Sequence, residues 1–274
     1  MAIHSFLKAE KGDPDWQFTP VEYYGKEFKI LDVSIIDLDA GVTETVVLRQ
    51  TPIEKELLAK RLQINVHEGS NLDLIILNDV DPTTQQVFLY DLLLKPNSSI
   101  SLGIFANGGK FNKHIVQVFQ EEGSNFAAYG LISNIVQGDT EVITKVVHHG
   151  AGSASNQLFL SFAGENSQTV FQGISIVEDE ATNSEVSIEN GNLITSSNGR
   201  CYSRPEVYAN ADNVRSDIWS RTDTINSEKL QYLQSRGIAE EHGREMIISS
   251  FREQVIDLVA QENIRDELKI MYAD

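Results

Sequence analysis

The chain has 274 residues, 41% of them hydrophobic, enough to enclose one large core or two modest ones. Its 40 acidic residues against 22 basic ones give a net charge of −18, which argues against nucleic acid because phosphate binding needs a basic patch. Cys201 is the single cysteine, so an internal disulfide and a Cys-rich metal site built by this chain alone are both excluded.

From the N-terminus, residues Met1 to Pro20 are too polar for a secretory signal. No later run approaches the roughly eighteen apolar residues of a membrane helix. A cytoplasmic chain without a membrane partner is the expectation. Short β-rich apolar runs then follow: Phe28 to Leu31, Val46 to Leu48, Leu62 to Val66, Leu74 to Leu77 and Val87 to Tyr90. More come at Ile115 to Phe119, Leu158 to Leu160, Val170 to Ile176 and Val186 to Ile188. Turn signals recur at Gly69, Asn97, Gly108, Gly123, Gly138, Gly150, Gly164 and Gly191, and they suit a sandwich, a barrel or a solenoid equally well. No strict repeat is visible, so a solenoid would be an irregular one.

After Asp223 the pattern turns helical. Asn226 is placed to cap a helix carrying Leu230 and Leu233, which stops at Gly237 and Ile238. A second helix carries a stripe of Met246, Ile247, Phe251, Val255 and Val259, with Glu240 four residues before Arg244. A last turn holds Ile264, Leu268 and Met271. With eleven acidic and six basic residues, the segment from Asp223 to Asp274 is an acidic amphipathic tail. Such a stripe packs on its own domain or docks a partner. These patterns divide the chain into an N-terminal segment 1–24, a β core 25–222 and a helical segment 223–274.

Tests for chemistry come out negative along the way. Gly108-Gly109-Lys110 lacks the earlier Gly and the following Ser or Thr of a phosphate loop, and Gly150 to Ser155 ends in Ser where a dinucleotide fingerprint needs Gly or Ala. Adjacent strand residues point to opposite faces, so His148 and His149 cannot chelate one metal together. His67, His114 and Cys201 stand apart from other ligand types in sequence. Paired carboxylates at Asp37/Asp39, Asp79/Asp81 and Glu178/Glu180 could serve a polysaccharide-acting β-helix enzyme by residue type, but they sit at strand ends where acids are ordinary turn formers.

From Asn192 the chain resembles the end of the SufB/SufD core domain of the SUF iron–sulfur cluster assembly system. The residues carrying the likeness are Asn192-Leu193-Ile194-Thr195-Ser196, Arg204-Pro205-Glu206-Val207-Tyr208, Ala211-Asp212-Asn213-Val214 and the block Leu230 to Ile238, all in register without a gap. Upstream, His148, Ser155-Asn156-Gln157-Leu158 and Val170-Phe171-Gln172-Gly173-Ile174 follow the family's landmark order.

The resemblance implies a mainly β fold, a right-handed parallel β-helix followed by a short C-terminal helical segment. It also implies a D-like scaffold subunit, not an enzyme, that pairs with a B-type scaffold subunit or with itself. The stripe from Met246 to Val259 would dock the SUF ATPase. In relatives the cluster assembles at the dimer interface on a Cys-x-His or His-Glu element. Here Ser216 and Ile218 occupy the Cys-x-His positions and Trp219 that of the glutamate; Asp217 is the one local carboxylate. The cysteine that B-type chains carry before the Asn192 strand is absent, with Asn190 and Gly191 in its place, and Phe159 or its neighbours replace the lysine after Gln157-Leu158. The chain is thus expected to bind no cofactor alone, to hold a cluster only at an interface with a partner, and to lack most of the N-terminal helical extension of full-length relatives. A diverged, self-dimerising solenoid outside cluster assembly is the alternative.

Overall fold

A computed structural model describes residues 22–23, 26–27, 30–49, 58–135, 137–225 and 227–272. A two-stranded antiparallel ladder, β1 (Glu22–Tyr23) with β2 (Lys26–Glu27), precedes the main body. The body comprises β3 (Ile30–Leu38), β4 (Thr43–Arg49), β5 (Leu58–Val66), β6 (Asn71–Val80), β7 (Gln85–Leu94), β8 (Ser99–Gly108) and β9 (Phe111–Gln120). It continues through β10 (Asn125–Asn134), β11 (Gly138–His148), β12 (Ala154–Ala163), β13 (Ser167–Val177), β14 (Glu185–Ile194), β15 (Arg200–Ala209) and β16 (Arg215–Thr224). Odd-numbered strands from β3 form one seven-stranded sheet and even-numbered strands from β4 form the other, and every neighbour within them is parallel. That alternation makes the chain a parallel β-helix, and it selects the solenoid over the sandwich and the barrel.

The apolar runs lie within these strands, except that Phe28 and Lys29 fall outside the described residues. Five strands of the body lacked a recognised apolar run: β8, β10, β11, β15 and β16. Two carry glycines that their neighbours require. A Cβ on Gly103 would meet the Tyr129 ring at 3.2 Å, and one on Gly130 would meet the Ile104 carbonyl oxygen at 1.9 Å. Stacking explains the interrupted patterns, because a glycine that weakens a lone strand lets two coils approach.

One set of corners is built to a common plan. Gly69, Asn97, Gly123, Gly152 and Asn183 take positive φ, and each precedes a fully buried serine: Ser70, Ser98, Ser124, Ser153 and Ser184. Ser98, Ser124 and Ser184 donate to the carbonyl three residues back at 2.7, 2.6 and 2.8 Å, and Ser70 bonds to His67 in the same way. A left-handed residue reverses the chain while the hydroxyl satisfies a carbonyl that the corner would otherwise bury. The last such corner, Asn213-Val214, keeps the left-handed residue and loses the serine.

Inside the solenoid, side chains stack in columns such as Leu74, Leu102, Ala128, Gln157 and Ile188, with Phe159 against Phe171 at 4.8 Å between centroids. A second apolar layer covers the outer face of the even-numbered sheet, where Ile75, Phe105, Tyr129, Leu131, Leu160, Phe162 and Leu193 meet the C-terminal helices. These are α1 (Ser227–Ser235), α2 (Glu240–Ile256) and α3 (Glu262–Met271). The Asn226 cap lies outside the described residues, but the stop of α1 is observed. Gly237 takes φ +84°, and the Gly237 and Ile238 amides donate to Gln234 and Leu233 at 2.9 and 3.1 Å. Arg49 clamps α3 through both oxygens of Glu267 at 2.8 and 2.6 Å, and Gln261 donates to Asp73 at 2.9 Å.

Candidate functional site

The β-helix ends on two strands with one neighbour each. Among the described residues β15 pairs only with β13 and β16 only with β14, so each leaves a ten-residue edge unpaired there. Ladder geometry fixes which residues use that edge. The Arg215 and Ile225 amides donate inward to Ser184 and Ile194, so odd-numbered residues of β16 bond to β14 while Ser216, Ile218, Ser220 and Thr222 point their N–H and C=O groups outward. On β15 the Asn210 amide donates to Val177, which turns Pro205 nitrogen to the open side. A missing donor costs nothing there, as expected for proline on an edge.

Side chains divide the other way. Ile218 stands in register with fully buried Ile188 and prolongs the interior apolar column, yet it is 44% exposed because no coil covers it. Ser216 is in register with Val186, and Ser220 donates across the interior to Ser203 at 2.9 Å. Thus Ser216 and Ile218 both face the open mouth. Trp219 faces outward over Glu189, 41% exposed, with the Arg221 guanidinium 5.6 Å from its ring centroid. Neither a serine hydroxyl nor an isoleucine supplies the thiolate or imidazole that iron–sulfur ligation uses.

The upstream landmarks are internal. His148 is fully buried, its Nδ1 and Nε2 each 2.8 Å from the hydroxyls of Ser153 and Ser155, and burial pulls its pKa down to about 4. His149 points outward to Glu178 at 2.6 Å, so the neighbours do face opposite sides. Gln157 bonds Thr144 and Ser175 within the interior, while Phe159, in the landmark lysine's place, fills the core. His114, buried beside Tyr90 at 3.1 Å and Asn78 at 3.2 Å, is lowered to about 3 by desolvation. His67 pairs with Asp37 at 2.9 Å, a juxtaposition of neighbouring coils that sequence distance hid. Cys201 accepts from Thr169 at 3.2 Å, and burial raises its thiol pKa, opposite to what a metal thiolate requires. Among the described residues no group of three or more His, Cys, Asp or Glu side chains is placed to hold a metal ion.

The helical stripe splits. Phe251, Val255 and Val259 are buried in the layer that joins α2 to the β-helix, and Gly191 makes room for the Phe251 ring 3.6 Å from where its Cβ would be. Three of the five docking candidates therefore serve the chain's own packing. Helical spacing identifies a face that must be covered, and it is silent on what covers it. Ile247 is half-buried, and Met246, at 43%, is exposed. Beside α2 lies a cavity of about 540 Å³ lined by Ile135, Phe162, Ile248, Arg252 and Tyr272. No helix among the described residues is long and apolar enough to cross a membrane.

Stacked internal ladders, a docked helical tail and a last coil with open strand edges define a parallel β-helix solenoid. The SUF system FeS cluster assembly, SufBD core domain family matches residues 25–251, and the chain belongs to it. It is 28% identical over 166 residues to an iron–sulfur cluster assembly SufBD family protein of Synechocystis, covering 59% of this chain and 36% of that one. It is 23% identical over 236 residues to the iron–sulfur cluster assembly protein SufD of Escherichia coli, covering 85% and 56%. The SufD of Bacillus subtilis is 22% identical over 172 residues, covering 61% and 38%. The chain thus matches about half or less of the length of these relatives.

Proposed function

We propose that this chain is a non-catalytic scaffold subunit of iron–sulfur cluster assembly. It pairs through the open end of its β-helix and recruits the SUF ATPase through its C-terminal helices. The supporting observation is the terminal coil of a SufBD core, whose two strand edges are unpaired among the described residues and whose open mouth is faced by Ser216 and Ile218, the positions at which the resemblance puts the relatives' ligands. Such an edge is a template for another chain, since its amides and carbonyls are already aligned. The cluster is cargo, and its ligands come from the partner.

Anaerobic co-expression with a B-type scaffold subunit and the ATPase tests the reading. The expected result is a complex in which the cluster is retained only when the B-type chain is present. Failure to associate with either protein, or a stable cluster on this chain alone, overturns it. ATPase docking is probed by Met246→Asp, an exposed site that leaves the core intact; Phe251→Asp would confound docking with unfolding.

A further inference from the structure

The outer face of the odd-numbered sheet is buried, although no described element lies over it. On β5, β7, β9, β11 and β13 the interior positions belong to residues such as Ile64, Tyr90, Val118, Val146 and Phe171, so the residues alternating with them point out of the solenoid. Those outward residues are buried as well. They include Val87, Ile115, Ile143, Val147 and Ile174, together with two ion pairs, Arg61–Asp91 at 2.5 Å and Lys113–Glu141 at 2.8 Å. The Arg61 and Lys113 side chains are only 5% and 6% exposed. On an open sheet, stems of that length carry their charges out into water.

Something therefore covers the face, and because the burial exists in a single chain the cover is the chain's own. Helices α2 and α3 pack on the other sheet and α1 packs against α2. The described chain before β3 is the short β1/β2 ladder, too small for a face five strands wide. We infer that residues 1–21 lie across the outer face of the odd-numbered sheet, from β5 to β13, and close it to partners. This face includes neither the open end nor the helices, so it is separate from the surfaces assigned to the scaffold role.

Reach selects this segment among those outside the described residues. Residues 50–57 join β4 to β5, so they project at most about four residues, roughly 14 Å, from that corner. β13 lies four strand spacings beyond β5, roughly 19 Å away. Residue 226 follows β16 and residues 273–274 follow α3, both on the side of the even-numbered sheet. Residue 136 and the pairs 24–25 and 28–29 are too short. Residues 1–21 can extend to roughly 70 Å. They bring Ile3, Phe6, Leu7, Trp16 and Phe18 to a face rich in valine and isoleucine, where burying apolar surface on both sides favours contact. The cover is also bounded. Ile35 on β3 and Tyr202 and Tyr208 on β15 face the same way and are exposed, so the segment spans the five middle strands and stops short of the terminal coil.

Thiol labelling of the full chain tests the cover. In a Cys201→Ser background, Ile174→Cys reports on β13, beyond the reach of residues 50–57, and Ile35→Cys is the exposed control on the same face. A maleimide should react at least about 10-fold more slowly with the first than with the second. Adding Phe6→Asp with Trp16→Asp should raise the Ile174→Cys rate about 10-fold and leave the Ile35→Cys rate unchanged, while circular dichroism shows the β-helix intact. A second readout needs no disruptive change. Trp219→Phe leaves Trp16 as the one tryptophan, and its emission should be blue-shifted and shielded from acrylamide until urea unfolds the chain. Equal labelling of the two cysteine variants, slow Ile174→Cys labelling that ignores Phe6→Asp with Trp16→Asp, or native Trp16 emission like that in urea overturns the inference. Slow labelling that ignores those substitutions but quickens on dilution would identify a second copy as the cover instead.

Discussion

Two histidines carry the clearest residue-scale consequence of the closed interior. His148 and His114 are fully buried and held neutral, with pKa values near 4 and 3 against 6.5 for the free side chain. The unfolded chain therefore binds protons first as pH falls through 6.5, and stability is lost between there and the folded values. At pH 5 the loss should be on the order of 2 kcal/mol for each histidine. Urea midpoints at pH 7.5 and pH 5 measure it, and His148→Gln should flatten the dependence by about one histidine's share. An unchanged midpoint in the wild-type chain would show that these imidazoles take up protons without leaving the fold. The sequence set His148 and His149 on opposite faces of their strand, and the buried ring of His148 bonds two serines. The sequence could not supply those partners, because Ser153 and Ser155 reach the ring only after the corner folds back. His67 with Asp37 and His149 with Glu178 went unpaired in the sequence for the same reason, each partner lying one coil away.

At the scale of elements, coil length hid the repeat. The same ladder position recurs after 26 residues between Ile100 and Phe126 and after 32 between Phe171 and Ser203, so no fixed period exists to be seen. What does recur is the left-handed residue followed by serine at the corners, a signal present in the sequence and legible only once φ at Asn97 and Asn183 joins that of the glycines. The corner plan predicts that Gly69→Asn is nearly neutral, since asparagine does this job elsewhere, whereas Gly69→Val costs about 1–2 kcal/mol through strain alone. Thermal melts of the two variants side by side test it, and equal melting temperatures would refute it. Helix α2 illustrates the opposite case, a pattern that was visible and whose partner was not. Because Phe251 lies against Leu160 and Gly191 in the joining layer, Phe251→Asp should cost more than about 3 kcal/mol by burying an unpaired charge beside a lost ring. Increased protease cleavage between α1 and α3 with the β-helix intact is the expected signature of helices lifting from the sheet.

For the whole molecule, the β-helix is a framework that carries a site by register. Family membership was legible because the terminal coil keeps its landmarks in order, and the resemblance drew attention to Ser216 and Ile218 on one face of β16. Their surroundings were not legible. Ser216 and Ile218 look into the open mouth, Ile218 continues the column of Ile188, and neither belongs to a group of three or more His, Cys, Asp or Glu side chains among the described residues. If ligand loss alone separates this chain from a cluster-holding one, Ser216→Cys with Ile218→His should restore iron-dependent charge-transfer absorbance on anaerobic reconstitution. Both side chains would leave the same face of the strand two residues apart, about 7 Å along it, so they would converge on one mouth. The parent chain and each single variant should stay colourless. The exchange should also lower thermal stability by no more than about 1–2 kcal/mol, because Ile218 is only half covered and its replacement opens no closed cavity. A double variant that folds, associates and still binds no iron would place the deficit in the partner-facing surroundings of the mouth instead of in the two missing ligands.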